Sequence, residues 1–197
     1  IIIYLMYHPH ILICAKQNAS VRIIPRKETS AISTTHPFSH EAIQRCHPYY
    51  LAVLMPVRVE SLVSLANLVS VVRYLQTHFS LAIKVWEAYA FNNQFLELLL
   101  PPDVEYKFIQ GEDPVFYRTR YINDMVVDTQ KKFVAIWDAD VVFPVIQVHS
   151  ALETLRTEEA TFVYPYDGIF LDTSPIVRQM FIESGDVDML WNLRGFM

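Results

Sequence analysis

The segment Lys131–Pro144 reads KKFVAIWDADVVFP and places two aspartates, Asp138 and Asp140, directly after a run of apolar residues. Short continuous apolar runs are typical of strands that are buried on both faces of a parallel sheet. Aspartate is seldom buried at a strand end unless it is paired or bound to a metal. The segment therefore predicts a central strand that ends at an ion-paired or metal-binding position.

Strand-like apolar runs and helical patterns alternate along the chain around this segment. The apolar runs cover residues 51–57, 81–88, 104–109, 133–137 and 160–165. Helical patterns lie between them, over residues 62–79, in the short segment before Pro101, over residues 117–129 and after Pro144. This order predicts an α/β fold with a mostly parallel, twisted sheet flanked by helices. Ligands bind such sheets outside the carboxyl ends of the strands, where Glu87, Asp138 and Asp140 fall.

Composition limits the classes of function. The chain has 197 residues and a net charge of −5, which argues against general affinity for nucleic acid. No apolar run reaches the ~20 residues needed to cross a bilayer. The two cysteines form no disulfide framework, which favours a reducing compartment. We therefore expect a cytoplasmic protein, which could also bind peripherally at the inner membrane face.

A change in composition near residue 50 suggests a domain boundary. Residues 1–50 carry five Lys and Arg against two Glu and are rich in His, whereas the rest of the chain is acidic and more regularly patterned. We therefore predict an N-terminal extension of unassigned role over residues 1–50. The α/β domain is predicted over residues 51–197.

The spacing of Asp138 and Asp140 allows both carboxylates to face one cation if the chain bends between them. Hard oxygen ligands of this kind suit Mg²⁺ or Mn²⁺, which keep several waters and also take phosphate oxygens. A cation held there could bridge a diphosphate and neutralise the charge of a departing nucleotide. The alternative is an Asp-rich turn that caps the following helix.

Several motifs resemble the nucleotide-sugar glycosyltransferases of the GT-A type. They are WDADVVFP, preceded by FYRTRYINDMV and followed by FVYPYDGIFLD, and the opening LAVLMPVR at residues 51–58. From residue 51 to about residue 175, the chain is most similar to the inverting family-2-like group and to bacterial galactosyltransferase-related proteins. The resemblance implies transfer of a hexosyl group, such as galactose, from a UDP-sugar to a glycan or lipid-linked sugar acceptor. It also implies Mn²⁺ or Mg²⁺ as the cofactor.

The resemblance further implies roles for individual residues. Asp138 and Asp140 match the family's DxD motif, with Asp140 as the more direct metal ligand and Asp138 contacting ribose or metal. Glu87 matches an acid that contacts the nucleotide base in relatives. Pro56 and Val57 match backbone that lines the base pocket.

Two further positions match polar groups near the nucleotide in relatives, namely Arg120 and Asn123 in the sequence RTRYIND. For both of them the alternative is an exposed helix face, and for Glu87 it is a solvated strand end. Trp137 is predicted to belong to the core rather than to stack on a ligand.

Relatives continue beyond this length, with a glycine-rich acceptor segment and a W-G-x-E-D-like stretch that supplies the general base. Neither occurs before Met197, so no general base is assigned, and the domain is predicted to be incomplete at its C-terminus. One alternative function is a transferase-like domain that only binds. Another is a phosphohydrolase of the haloacid dehalogenase type, which needs a Lys that is absent after Asp140.

Overall fold

The fold comes from a computed structural model that describes residues 2–3, 12–15, 50–165 and 171–193. The strands are β1 Ile2–Ile3, β2 Leu12–Ala15, β3 Leu51–Val57, β4 Ala82–Tyr89, β5 Glu105–Gln110, β6 Phe133–Ile136, β7 Phe162–Val163 and β8 Leu171–Asp172. The helices are α1 Leu62–His78, α2 Phe95–Leu99, α3 Arg118–Asp128, α4 Val145–Arg156, α5 Pro175–Ser184 and α6 Val187–Asn192.

Six of the strands form one sheet in the order β5-β4-β3-β6-β2-β7. The strands β5, β4, β3 and β6 run parallel, whereas β2 runs antiparallel to both of its neighbours. The short strands β1 and β8 form a separate antiparallel pair. The predicted α/β fold with a mostly parallel sheet flanked by helices is therefore confirmed.

The core has two parts because β3 is buried along its whole length on both faces of the sheet. Its odd-numbered residues pack in the larger cluster, which takes apolar side chains from α1, α4, α5 and α6. Its even-numbered residues Ala52 and Leu54 pack in a smaller cluster with Trp86 and with Met125 of α3. Side chains alternate between the two faces of a strand, so a strand covered on both faces must be apolar at every position.

Local signals set the ends of several helices. Ser61 caps α1 and forms a reciprocal capping box with Ser64. The helix α5 begins at Pro175, directly after the capping residue Ser174. It ends at Gly185, whose φ of +67° lies in the left-handed region that glycine adopts without strain.

Pro56 lies inside β3 at a position where its missing N–H does no harm. The Leu54 carbonyl accepts a hydrogen bond from the Trp137 N–H at 3.0 Å, so the even-numbered residues of β3 bond towards β6. Pairing between β3 and β6 stops at Leu54, two residues before Pro56. A proline is tolerated where no ladder bond is required, and it favours the separation of the two strands at this edge.

The predicted elements between residues 51 and 156 agree with the structure to within a few residues. The strand predicted over residues 160–165 shortens to Phe162–Val163. The insertion of β2 between β6 and β7 was not predicted. The boundary near residue 50 stays a prediction, because most of residues 1–49 lie outside the described part of the chain. None of the helices in the described residues combines the length and apolar character needed to cross a bilayer.

Candidate functional site

The candidate site lies where neighbouring parallel strands end at the same edge of the sheet. Val57, the last residue of β3, pairs in register with Glu87 near the end of β4. On the other side of β3, the chain leaves β6 at Ile136 and passes through Trp137 to Asp138. The structure therefore brings the ends of β4, β3 and β6 together, with Glu87 near the end of β4 and the two aspartates after the end of β6, on opposite sides of β3.

The two aspartates lie on a turn that is anchored in the core. The Val141 N–H approaches the Asp138 carbonyl at 3.5 Å and closes the turn, with Asp140 at its third position. The Trp137 Nε1–H donates to the Val141 carbonyl at 2.9 Å, and the ring packs edge-on against Phe143. Trp137 is 1% exposed, so its predicted place in the core is confirmed. Both carboxylates are half-buried, and their backbone is held in one position.

Asp138 forms an ion pair with Arg118, the first residue of α3. The side chains are 18% and 34% exposed respectively, so the pair is partly shielded from water. Arg118 lies seven residues before the buried Met125, which places both on the same face of the helix. Arg120 and Asn123 are exposed elsewhere on α3. Among the basic residues of this helix, it is therefore Arg118 that reaches the aspartate turn.

Arg58, directly after β3, holds the loop before α3 against the sheet. Its Nε–H donates to the Ala88 carbonyl at 3.3 Å, and its Nη1 group donates to the Pro114 carbonyl at 2.8 Å. The Nη2 group donates to the Asp113 carbonyl at 3.0 Å, and the guanidinium lies 5.4 Å from the centre of the Phe116 ring. These contacts join the end of β4 to the loop that places Arg118.

The same loop is stiffened by a local turn at Asp113. The Val115 N–H donates to Asp113 Oδ1 at 2.8 Å, which is the pattern of an Asx turn. This bond, together with one from the Tyr117 hydroxyl, lowers the pKa of the Asp113 carboxyl. Because the loop is held by its own turn and by Arg58, the entry into α3 has a defined position.

Glu87 is a buried carboxylate, with only 2% of its surface exposed. The Tyr106 hydroxyl of β5 donates a hydrogen bond of 2.7 Å to Glu87 Oε2. Burial of Tyr106 and this hydrogen bond to the carboxylate both raise the pKa of the phenol well above its usual value. Tyr106 therefore stays protonated at any physiological pH and remains a hydrogen-bond donor. The burial of Glu87 is inconsistent with the alternative of a solvated strand end.

The two carboxylates of the aspartate turn would supply only part of a cation's ligands, and water or a substrate would supply the rest. Within the described residues, no group of three or more His, Cys, Asp and Glu side chains is arranged to hold a metal ion. Mg²⁺ and Mn²⁺ are commonly bound through one or two carboxylates, with waters and substrate phosphates completing the shell. Asp138 and Asp140 are the two carboxylates that the aspartate turn would contribute to such a site, and the described residues contain no all-protein metal cage.

Three residues at this edge were missed by sequence reasoning: Arg58, Tyr106 and Arg118. The sequence did contain a signal for Arg118, because residues seven apart lie on the same face of a helix. Arg118 has this spacing from the apolar Met125, and Arg120 does not. No comparable local signal marks Tyr106 or Arg58, whose partners lie on other elements. The nucleotide-binding roles implied for Pro56, Val57, Glu87, Arg120 and Asn123, and the metal-binding roles of Asp138 and Asp140, stay predictions.

Comparison with known proteins finds one partial structural similarity. No protein-family model matches the chain, and no curated protein matches its sequence. Among solved structures, it aligns with a "putative nucleotide-diphospho-sugar transferase" from Desulfovibrio desulfuricans G20, at 16% identity and a TM-score of 0.40. The alignment covers 55% of this chain and 55% of the transferase chain, so this chain matches about half of the length of that protein. This partial alignment assigns neither a family nor an activity to the chain.

Proposed function

We propose that this chain binds a UDP-sugar at the carboxyl edge of β4, β3 and β6, and that it takes part in transfer of a hexosyl group, such as galactose. The acceptor would be a glycan or a lipid-linked sugar. One observation carries the proposal: the half-buried aspartate turn follows β6 directly and has Arg118 beside it. In open parallel sheets, the crevice outside the strand ends is the usual place for a nucleotide.

In this proposal, Asp140 and Asp138 hold Mn²⁺ or Mg²⁺, which neutralises charge on the diphosphate when it is bound. Arg118 then has a defined part. The cation competes with its guanidinium for Asp138, and the diphosphate offers new acceptors to the released guanidinium. Arginine suits this exchange because its planar group can bind either carboxylate or phosphate oxygens in bidentate geometry.

Glu87, Val57 and Pro56 would form the base-binding end of the same site. The separation of β3 from β6 after Leu54 leaves the backbone at Pro56 and Val57 without a β6 neighbour. Glu87 lies beside Val57 on the adjacent strand. The nucleotide would then span the edge of the sheet, with its base near Glu87 and its diphosphate near Asp138.

Calorimetric titration of UDP, with and without Mn²⁺, tests the proposal on the wild-type chain and on the variants Asp140→Ala and Asp124→Ala. Asp124 is exposed on α3, so its variant removes the same charge away from the turn. We expect Mn²⁺-dependent UDP affinity in the wild type and in Asp124→Ala, and a loss of at least about 10-fold in Asp140→Ala. UDP affinity that is indifferent to both Mn²⁺ and Asp140 would refute the proposal.

A further inference from the structure

The strand β5 is the outermost strand on one side of the six-stranded sheet, and its outer edge has no strand partner in the described part of the chain. The Gly111 N–H, just after β5, donates to the Tyr89 carbonyl at 3.0 Å. Backbone groups of successive strand residues point to alternate sides, so the odd-numbered residues of β5 bond to β4 and the even-numbered residues point outwards. Tyr106, Phe108 and Gln110 therefore present a row of N–H and C=O groups along this edge.

The strand β5 lacks the features that commonly keep an edge strand from pairing with another chain. Such strands are often very short, interrupted by proline or a bulge, or lined with lysines that repel a copy. β5 has six residues without proline, and its register with β4 is continuous. Its exposed side chains on the face that α3 covers are Glu105 and Lys107, which are two residues apart and opposite in charge. These charges do not repel every copy of the strand.

The order of the two charges selects one antiparallel register. Only registers that match even-numbered residues with even-numbered residues bring the outward backbone groups of two copies together. If Tyr106 faces Tyr106 of a second copy, each Glu105 lies opposite a Lys107, and opposite charges across a strand pair are stabilising. A centre at Lys107 would place two ammonium groups opposite each other, and a centre at Phe108 would give neither charge an opposite partner. The hydrogen bonds and the charges therefore agree on the register centred at Tyr106.

Both charged side chains are held where this pairing needs them. Lys84 of β4 lies 2.9 Å from Glu105 Oε1, and the Glu105 side chain is still 55% exposed, so a second cation can approach it. The Lys107 ammonium lies 4.0 Å from the centre of the Trp86 ring, which keeps its stem against the sheet. In the paired strands, each Glu105 would lie between Lys84 of its own chain and Lys107 of the second copy. The charges would then alternate in sign along the row.

We propose that the outer edge of β5 is a self-association surface, at which two copies of this chain pair their β5 strands antiparallel about Tyr106 and join their sheets into one. The partner is a second copy because the sequence from Glu105 to Lys107 complements itself in charge when it is reversed. No nucleotide takes part, so this inference is independent of the proposed function. One short strand pair lies at the small end of specific interfaces, so we expect a dimer that forms at micromolar concentrations.

Analytical ultracentrifugation of the wild type, of Lys107→Glu, of Glu105→Lys and of an equimolar mixture of these two variants tests the register. In the dimer of either variant with itself, both cross-strand pairs carry like charges, whereas in the mixed dimer both pairs carry opposite charges again. We expect the wild type to dimerise at about 100 µM and each variant alone to associate at least about 10-fold more weakly. The mixture should recover the wild-type affinity to within about threefold.

Two controls separate the strand pair from net charge. Arg73→Glu changes the net charge by the same amount as Lys107→Glu, but it lies exposed on α1, so it should dimerise like the wild type. A mixture of Arg73→Glu with Glu105→Lys has the same net charges as the mixture of the two β5 variants. Its mixed dimer keeps one pair of lysines opposite each other, so it should not recover the wild-type affinity.

A second pair of variants leaves both charges unchanged, because Glu105→Lys also removes a partner of Lys84. In the proposed register, the Phe108 N–H faces the Val104 carbonyl of the second copy. Phe108→Pro removes this outward N–H, which an edge strand tolerates, and it should weaken dimerisation by at least about 10-fold. Phe108→Leu keeps the N–H and an apolar side chain, so it should dimerise like the wild type. Thermal melting shows beforehand which variants are folded.

Three results would overturn the inference. A wild type that stays monomeric at about 100 µM shows that a second copy does not occupy this edge. A dimer that is equally stable in folded Phe108→Pro shows that another surface joins the two copies. Charge variants that associate as well as the wild type, or a mixture that associates no better than either variant alone, show that Glu105 and Lys107 do not face each other.

Discussion

Replacement of Arg118 by alanine should change metal affinity and nucleotide affinity in opposite directions. Arg118 is paired with Asp138, and both side chains are partly exposed. Ion pairs of this exposure contribute up to about 1 kcal/mol. Removing the guanidinium therefore removes a competitor of that strength for the carboxylate, and we expect Mn²⁺ alone to bind about 2- to 5-fold more tightly.

The effect on UDP in the presence of Mn²⁺ should have the opposite sign. If the released guanidinium contacts the diphosphate, its loss removes a charge-assisted hydrogen bond of about 1.5–3 kcal/mol. That corresponds to UDP affinity that is weaker by about 10- to 100-fold. If Arg118 only supported the fold, its removal would not make metal binding tighter and nucleotide binding weaker at the same time.

The assay is calorimetric titration of MnCl₂ alone and then of UDP at saturating Mn²⁺. Arg73→Ala serves as the control, because Arg73 is exposed on α1 and its loss changes the net charge by the same amount. The reasoning is refuted if both affinities move in the same direction in Arg118→Ala, or if Arg73→Ala reproduces the pattern. The second result would mean that net charge, and not the ion pair, controls both equilibria.

Three further predictions concern the surroundings of the site and the core. Arg58→Ala removes the donors that hold the loop over residues 111–117. We therefore expect the free energy of unfolding to fall by about 1–3 kcal/mol and proteolysis within the loop to become faster. An unchanged cleavage pattern would contradict this prediction. Burial lowers the pKa of His149 from its ordinary value of 6.5, so the folded state favours the neutral ring. The stability gained from the neutral ring is present above the unfolded-state pKa and is lost as the pH falls through the folded-state pKa. Between about pH 7.5 and about pH 5.5, the Tm of the wild type should therefore fall further than the Tm of His149→Leu. Equal falls in Tm would show that another group dominates. Arg120→Ala should leave UDP affinity within about twofold of wild type in calorimetry, because Arg120 is exposed on α3 away from Asp138. A loss of UDP affinity as large as that in Arg118→Ala would instead support the nucleotide role that the sequence predicts for Arg120.

The fold of the central part of the chain could be predicted from local patterns. A strand covered on both faces has to be a continuous apolar run, and LAVLMPV at residues 51–57 is such a run. The Ser61 cap and Pro101 mark helix ends through their own backbone chemistry. The place of β2 in the sheet could not be predicted in this way, because pairing between Leu12 and Ile136 depends on residues far apart in sequence.

The sequence by itself determined which polar residues lie near the ends of parallel strands, and hence that Glu87, Asp138 and Asp140 lie at one edge of the sheet. Only the tertiary structure decided their partners. Arg118 meets Asp138 across 20 residues, and Tyr106 meets Glu87 across 19. The rotation of α3 about its axis places Arg118 rather than Arg120 beside Asp138. The register between β5 and β4 places the Tyr106 hydroxyl beside the Glu87 carboxylate. Strand ends are set by local composition, whereas such contacts depend on how separate elements are positioned against each other.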